Sequence, residues 1–501
     1  MAKFIGIDLG TTFSAVGTLD DTGRPVIVHD DEDGANIMPS VVSFAGKDQF
    51  VGETARKTLW IDENTVGRFK REMGTSTVYS VQGTGYTPTQ LSALVLGRLK
   101  EYAEAEVKEI AEAVVTIPAN FANEAREATM EAAKMAGLNV NFIINEPTAA
   151  AMFYGFKSGD EFGGNYAFYD LGGGTFDVSI IRASGQDIEV LATNGVSRLG
   201  GDDFDEALRK LIVGKFKDET GGEPEPEDFT KNDAEEEKKS LSKREQSLVR
   251  VSSEAGRANI EITQSEFEEA ISSLIAQTEM LCESALDEAG LSSSDVSQVF
   301  LVGGSTRVPC VRESVKRVFG QEPVASANVD EVVGLGAALY AAYKGDQSKL
   351  SVVQKKSVEK IKVAEMTSKY YGTFAVQRDA ARENLKEVVS IIIKKGEKIP
   401  CSVTESFYTM YDGQDAVECV VTESAAPETD PTFAHVIWQG ELKLPPDRPA
   451  GQEIKITYSY TENQTMRCSF IDAESGEETK ADLTMGSGVA TDDEVEKFTV
   501  E

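Results

Sequence analysis

The chain has 501 residues, of which 41% are hydrophobic, a length that predicts about three domain-sized units with sizeable cores. Its formal net charge of -34 at pH 7, without a long Lys/Arg cluster, disfavours direct binding to nucleic acid. Five scattered cysteines match neither a disulfide framework nor a zinc site. With no secretion signal and no apolar stretch of membrane-spanning length, we expect a cytoplasmic protein that does not enter a membrane.

Residues 1–345 alternate short apolar strands with amphipathic helices, a pattern typical of an α/β domain. We expect the strands at 3–8, 113–117, 167–169 and 299–302. We expect the helices from Thr87-Pro88, from Glu124 to Met135, and from the capping sequence Thr263-Gln264-Ser265-Glu266 to about Gly290. The segment 221–226 is rich in Gly, Pro and Glu and predicts an exposed acidic loop.

The pattern changes after Gly345. A polar, lysine-bearing segment, 346–372, is interpreted as an atypical interdomain linker. Residues 373–483 contain alternating runs at 388–393, 416–421 and 453–458, separated by turn residues, and predict a small antiparallel β-sandwich. Residues 484–501 read as a short polar tail that leaves no room for a further helical domain.

One sequence pattern occurs twice in the α/β region. Ile7-Asp8-Leu9-Gly10-Thr11-Thr12-Phe13 matches Tyr169-Asp170-Leu171-Gly172-Gly173-Gly174-Thr175-Phe176-Asp177, and each leaves one apolar strand and enters another. Glycine lets backbone N–H groups approach phosphate oxygens, and threonine hydroxyls add donors. The aspartates are explained if hydrated Mg²⁺ or a held water lies between carboxylate and phosphate. A single turn of this kind often has only a backbone role, whereas two matching halves favour phosphate binding.

Five motifs extend this pattern and occur in one order along the chain: 5–12, 145–151, 170–177, 199–205 and 301–309. With them, residues 3–480 resemble the seventy-kilodalton heat-shock chaperones. The resemblance implies an α/β actin-like, ribonuclease-H-type duplicated nucleotide-binding domain with a C-terminal all-β sandwich. It also implies ATP and Mg²⁺ as cofactors, bound between two lobes of residues 1–345.

The resemblance assigns a role to each candidate site residue. Asp8, Asp170 and Glu146 correspond to residues that hold the metal through water, and Lys70, Glu146, Asp170 and Thr175 correspond to the catalytic set. The implied nucleotide-binding residues are Asp8, Gly10, Thr11, Thr12, Gly172, Gly173, Gly174, Thr175, Gly200, Gly201, Glu235, Lys238, Lys239, Ser242, Gly303, Gly304, Ser305, Arg307 and Asp330.

Four of these assignments, those of Lys70, Glu235, Lys238 and Lys239, depend on the resemblance more than on the residues themselves. Lys70 lies between Arg68 and Arg71, and without the resemblance such a group more often forms a solvated basic turn. The sequence of residues 235–239 by itself is typical of a charged helix face. Lys239 stands where the family has arginine, which removes a planar group able to stack on adenine.

Four departures concern the coupling of ATP to substrate. The segment between Lys70 and Thr87 is shorter than in typical members, so cleft closure is expected to suffer. The linker sequence 358–363 lacks the apolar strip that docks on the nucleotide domain, so interdomain coupling is expected to weaken. Arg198 replaces a histidine, and the chain as given has no helical lid after the sandwich.

These departures resemble the ribosome-associated member of fungi. That resemblance implies a stable heterodimer with a J-domain protein, contact with the ribosome through that partner, a second chaperone of the same family, and nascent polypeptide as substrate. ATP would be bound with weak or absent hydrolysis. A conventional ATP-hydrolysing, peptide-binding chaperone is the alternative, and a sugar kinase or filament-forming actin relative is disfavoured by the sandwich.

Overall fold

The structure, a computed structural model, describes residues 3–29, 34–325, 329–378, 385–462 and 465–482. It divides into two compact units, Met1–Glu365 and Met366–Glu501. The predicted polar tail lies outside the described residues. Within the described part of the chain, no helix has both the length and the apolar character needed to cross a membrane.

The first unit has two lobes, each built on a mixed sheet. In the first lobe the strands lie in the order Val140–Asn145, Ile110–Ile117, Lys3–Asp8, Phe13–Leu19 and Pro25–Ile27, with Met38–Pro39 also on Phe13–Leu19. In the second lobe the order is Val324–Ala325, Val296–Val302, Gly163–Leu171, Phe176–Ser184, Asp187–Val196 and Lys362–Met366.

The two lobes repeat one strand arrangement. Lys3–Asp8 pairs antiparallel with the strand that follows it and parallel with Ile110–Ile117. Gly163–Leu171 likewise pairs antiparallel with its successor and parallel with Val296–Val302. In both lobes the glycine-rich turn therefore joins the first strand to its antiparallel neighbour, which confirms the predicted duplicated α/β fold.

Smaller strands and the helices complete the first unit. The remaining strands are Val41–Ala45, Asp48–Val51, Thr65–Gly67, Tyr79–Val81, Thr84–Tyr86, Gln246–Ser253 and Gly256–Thr263. The α-helices are Glu53–Arg56, Pro88–Val107, Asn123–Met135, Glu146–Ser158, Gly201–Thr220, Lys231–Leu241, Gln264–Ala270, Ser272–Ala289, Pro309–Phe319, Val332–Lys344 and Val352–Val358. The 3-10 turns are Phe69–Glu72, Gly159–Glu161, Ser293–Asp295, Gly304–Arg307 and Gln347–Lys349.

Local sequence explains where helix Pro88–Val107 begins. The Thr87 hydroxyl accepts from the Gln90 backbone N–H, and the Gln90 side chain accepts from the Thr87 backbone N–H, so two otherwise unpaired donors are satisfied. The helix predicted from 263 to 290 is instead two helices. Ile271 leaves helical geometry at φ -103° and ψ 3° and is fully buried, so core packing overrides the continuous helical pattern.

The predicted linker contributes structure to the first unit, which extends to Glu365 rather than to residue 345. Strand Lys362–Met366 pairs in parallel with the start of Asp187–Val196. Ile361 is buried, and the Glu365 carboxylate accepts a 2.9 Å hydrogen bond from the Asn145 amide. The segment therefore packs on the first unit through backbone pairing and buried side chains, and the expected weakening of interdomain coupling stays a prediction.

The second unit consists of two four-stranded antiparallel sheets. One has the order Leu385–Ile393, Tyr370–Arg378, Ala416–Ser424 and His435–Lys443; the other has Cys401–Tyr408, Glu453–Tyr460, Met466–Asp472 and Glu478–Asp482. Strand Lys398–Ile399 and the 3-10 turn Pro431–Phe433 complete it. Both sheets contribute to one core, in which Cys419 and Cys468 are buried. The Tyr458 hydroxyl lies there and donates to backbone carbonyls of the facing sheet.

Candidate functional site

A cavity of about 500 Å³ in the first unit is lined by both glycine-rich turns. Most of the residues predicted for the nucleotide contribute to its wall. They are Asp8, Gly10, Thr11, Thr12, Lys70, Glu146, Asp170, Gly172, Gly173, Thr175, Gly201, Glu235, Lys238, Lys239, Ser242, Gly303, Gly304, Ser305, Arg307 and Asp330. Gly174 and Gly200 do not line the cavity.

Backbone packing explains two of the glycines. A Cβ added to Gly200 would lie 2.6 Å from the carbonyl of Gly173, so Gly200 supports the second turn from behind. Gly303 has φ 82°, and its added Cβ would lie 2.5 Å from the carbonyl oxygen of Leu171. Only glycine combines this left-handed conformation with so close an approach. The second turn and the Gly303 segment are thereby held together at the cavity wall.

Buried carboxylates form the floor of the cavity. Burial and the nearby Glu146 carboxylate raise the pKa of Asp8 to about 7, although Lys70 and the 2.8 Å hydrogen bond from Thr116 oppose the shift. Burial, with Glu146 and Asp8, also raises the pKa of Asp170 well above its usual range. These acids repel one another at low dielectric, so a cation is the group that would stabilise their ionised forms.

A divalent cation is consistent with this floor. Burial, with Glu146 and Asp170, raises the pKa of Asp177, and one oxygen of Asp177 is buried without a hydrogen-bond partner among the described residues. Within that same part of the chain, no three acidic, histidine or cysteine side chains are close enough to ligate a metal directly. The role of Asp8, Glu146 and Asp170 in holding a metal through bound water stays a prediction.

Lys70 is buried and ion-paired at the cavity floor. Only 4% of its surface is exposed, and its ammonium nitrogen lies 2.6 Å from Oε1 of Glu146. The interpretation of Lys70 as part of a solvated basic turn is therefore wrong. The sequence contains no sign of this burial, because the residues form a short 3-10 turn, Phe69–Glu72. Such a turn points successive side chains in different directions and leaves no repeating pattern of apolar residues.

The turns also offer groups suited to phosphate. The Thr12 hydroxyl is buried and has no hydrogen-bond partner among the described residues. A buried hydroxyl of this kind gains a hydrogen bond when an anion such as phosphate enters. The Ser305 hydroxyl donates to the Gly172 carbonyl at 2.8 Å, and this bond joins the third glycine segment to the second turn.

Charged side chains of helix Lys231–Leu241 line the other end of the cavity. The Lys238 ammonium lies 2.7 Å from Asp205, and Lys239 lies 3.0 Å from Glu235. Burial raises the pKa of Glu235, but Lys239 and Arg56 outweigh it, so the net shift is downward. The helix face predicted to be charged is in part buried in the cavity wall.

Several residues of the site were not predicted from the sequence. Arg68 lines the cavity, its Nε lies 2.6 Å from Oδ1 of Asp202, and its guanidinium lies 3.9 Å from Glu235. Arg56 also lies 3.3 Å from Glu235. The only signal was charge complementarity between segments more than a hundred residues apart. The cleft that was expected to close poorly is crossed by these ion pairs.

A comparison with protein families agrees with this geometry. A family model described as Hsp70 protein matches residues 4–501. The match includes the two-lobed unit with its glycine-rich turns, and also the β-sandwich. Proteins of this family are chaperones that bind ATP with Mg²⁺, the cofactors for which the carboxylate floor and the glycine turns are suited. The chain therefore belongs to the Hsp70 family.

Proposed function

We propose that this Hsp70-family chain is an ATP-binding subunit that pairs stably with a J-domain protein and turns over little ATP itself. It reaches the ribosome through that partner and assists the folding of nascent polypeptides in the cytoplasm. A second chaperone of the same family carries out the hydrolytic cycle. Asp8, Glu146 and Asp170 hold magnesium through water, and the ion supplies positive charge to the phosphates.

The observation that carries the proposal is the Lys70–Glu146 ion pair. A lysine that positions an attacking water must present its ammonium group to the terminal phosphate. Here the Lys70 ammonium is 2.6 Å from the buried carboxylate of Glu146. If Lys70 moved away, Glu146 would be left as an unpaired buried charge, which is energetically costly. Because the release of Lys70 from Glu146 carries this cost, the ion pair opposes hydrolysis, while the glycine turns remain free to bind nucleotide.

The charge of the chain supports an indirect route to the ribosome. At a formal charge of -34, long-range repulsion from ribosomal RNA disfavours direct docking. A basic partner protein would overcome this repulsion and would itself be attracted to the acidic chain. None of the five cysteines, all of which lie within the described residues, forms a disulfide, which is consistent with a reducing compartment.

One observation favours the alternative of a conventional ATP-hydrolysing, peptide-binding chaperone. Asp8, Lys70, Glu146, Asp170 and Thr175 line one cavity, so the full set of side chains that the family uses for hydrolysis is assembled. The docked strand Lys362–Met366 also provides a physical connection to the first unit that such coupling requires. Hydrolysis accelerated by a J-domain would favour this alternative.

The partnership is tested by purification of the full chain from its source. At low ionic strength we expect a J-domain protein in equal amount and ribosomes associated with the pair. At high ionic strength the ribosomes should dissociate, since their attachment depends on the basic partner. A chain that associates with ribosomes after the J-domain protein has been removed would contradict the proposal, as would recovery without such a partner.

A further inference from the structure

We propose that three charged residues near Lys70 form an interlobe clamp with three charged residues of the opposing lobe, and that this clamp retains the bound nucleotide. The clamp consists of Arg68, Arg71 and Glu72 of the first lobe with Arg198, Asp202 and Asp203 of the second. It acts as a positioning device outside the reacting atoms. This inference rests on the proposed function only in assuming that the cavity holds a nucleotide.

The contacts all run from one short turn to one opposing segment. Arg68 Nε lies 2.6 Å from Asp202 Oδ1, and Arg71 forms an ion pair with Asp203. Glu72 Oε1 lies 2.6 Å from a guanidinium nitrogen of Arg198. Each of the three residues on the turn faces a partner of opposite charge on the other lobe, so opening the cleft at this point separates three ion pairs.

The clamp is hydrogen-bonded to the second glycine turn. The backbone N–H of Asp202 donates to the Gly173 carbonyl at 2.8 Å, and Nε of Arg71 donates to the Gly174 carbonyl at 3.0 Å. A separation of the lobes at this point must break the ion pairs and pull Arg71 away from the phosphate turn. Nucleotide release is therefore coupled to the opening of the clamp.

The backbone conformation of Arg68 also supports a functional role for the clamp. Arg68 adopts φ 65°, a left-handed conformation that costs conformational energy for any residue with a side chain. Glycine would relieve this cost, but it would lose the ion pair with Asp202. The side chains of Arg68 and Asp202 are only 13% and 10% exposed, so their attraction is weakly screened by solvent.

The Glu72–Arg198 pair allows the cleanest test, because neither residue lines the cavity. Changes at these positions affect release without removing a contact to the nucleotide. Their side chains are 21% and 68% exposed, so neutral substitutions are compatible with folding. Lys210 is a matched control, since it pairs with Glu206 at 3.8 Å within the second lobe and does not cross the cleft.

The experiment measures the dissociation rate of a fluorescent ATP analogue from the full chain. Glu72→Gln and Arg198→Gln should each raise the rate by about 1.5- to 5-fold, the range expected for an exposed pair. The double variant should release no faster than the faster single variant, because both changes remove one interaction. Lys210→Gln should release at the wild-type rate, and the wild-type rate should rise with ionic strength.

Two results would overturn the clamp: wild-type release from both single variants, or effects that add in the double variant. A wild-type rate that does not respond to salt would count against it equally. A different result would show that the cavity does not hold a nucleotide, which is the assumption on which the clamp rests. A wild-type chain that binds no ATP analogue at all contradicts nucleotide binding itself and removes the clamp with it.

Discussion

Replacement of Lys70 by alanine tests the buried ion pair at the centre of the site. In the nucleotide-free chain, Lys70→Ala leaves the Glu146 carboxylate buried without its cation. It also removes the positive charge that opposes the upward pKa shifts of Asp8 and Asp170. Removal of one partner from a buried pair costs about 3–5 kcal/mol. That loss is a large share of the roughly 5–15 kcal/mol that stabilises a typical protein.

Denaturant unfolding followed by tryptophan fluorescence measures this loss. The chain has two tryptophans, Trp60 in the first unit and Trp438 in the second, so a Trp438→Phe background reports on the first unit alone. Lys239→Ala is the matched control, because that side chain lines the same cavity but is 43% exposed. It should cost less than about 1 kcal/mol.

A double variant separates the pair from other effects of the mutation. Glu146→Gln keeps the shape of the side chain and removes the charge, so Lys70→Ala combined with Glu146→Gln should recover part of the stability lost in Lys70→Ala alone. If Lys70→Ala costs less than about 1 kcal/mol, the two groups are not held as a buried pair and the reasoning fails.

Three further results are expected. Asp8 has a pKa raised from 3.8 to about 7, so the native state binds a proton that the unfolded state does not between those values. Stability of the nucleotide-free chain should then fall as pH rises through this window, by about 1.4 kcal/mol per unit, and a flat profile in urea titrations would contradict the shift. Gly303→Ala places a Cβ 2.5 Å from the Leu171 carbonyl oxygen, so ATP binding measured by calorimetry should be lost, and wild-type affinity would show that the segment adapts. Tyr458→Phe removes hydrogen bonds of 2.8 and 3.1 Å in the sandwich core and should lower its unfolding free energy by about 1–3 kcal/mol, with nucleotide affinity unchanged.

Local sequence was sufficient for much of the fold. The Thr87 capping sequence correctly predicted the start of helix Pro88–Val107, and the repeated aspartate and glycine turns correctly predicted the duplication of the lobes. These features depend on residues near one another in the chain. The break at Ile271 could not be predicted in this way, because it is fixed by burial against distant elements.

In the candidate site, too, features set by neighbouring residues were predicted and features set by distant contacts were not. Motifs identified most residues that line the cavity, since glycine turns have strict backbone requirements. The ion pairs that cross the cleft were missed, because Arg68 and Asp202 are separated by more than a hundred residues and each alone resembles an ordinary surface charge. Docking of strand Lys362–Met366 was missed because it depends on backbone pairing, which leaves little trace in side-chain hydrophobicity.

Single-turnover hydrolysis of prebound ATP, with and without the J-domain partner, tests the proposed function most directly. We expect the nucleotide to remain ATP in both conditions and the Lys70→Ala variant to give the same slow rate, because Lys70 is held by Glu146 in the native chain. Acceleration of wild-type hydrolysis by the J-domain, abolished in Lys70→Ala, would contradict this proposal and identify a conventional ATPase cycle.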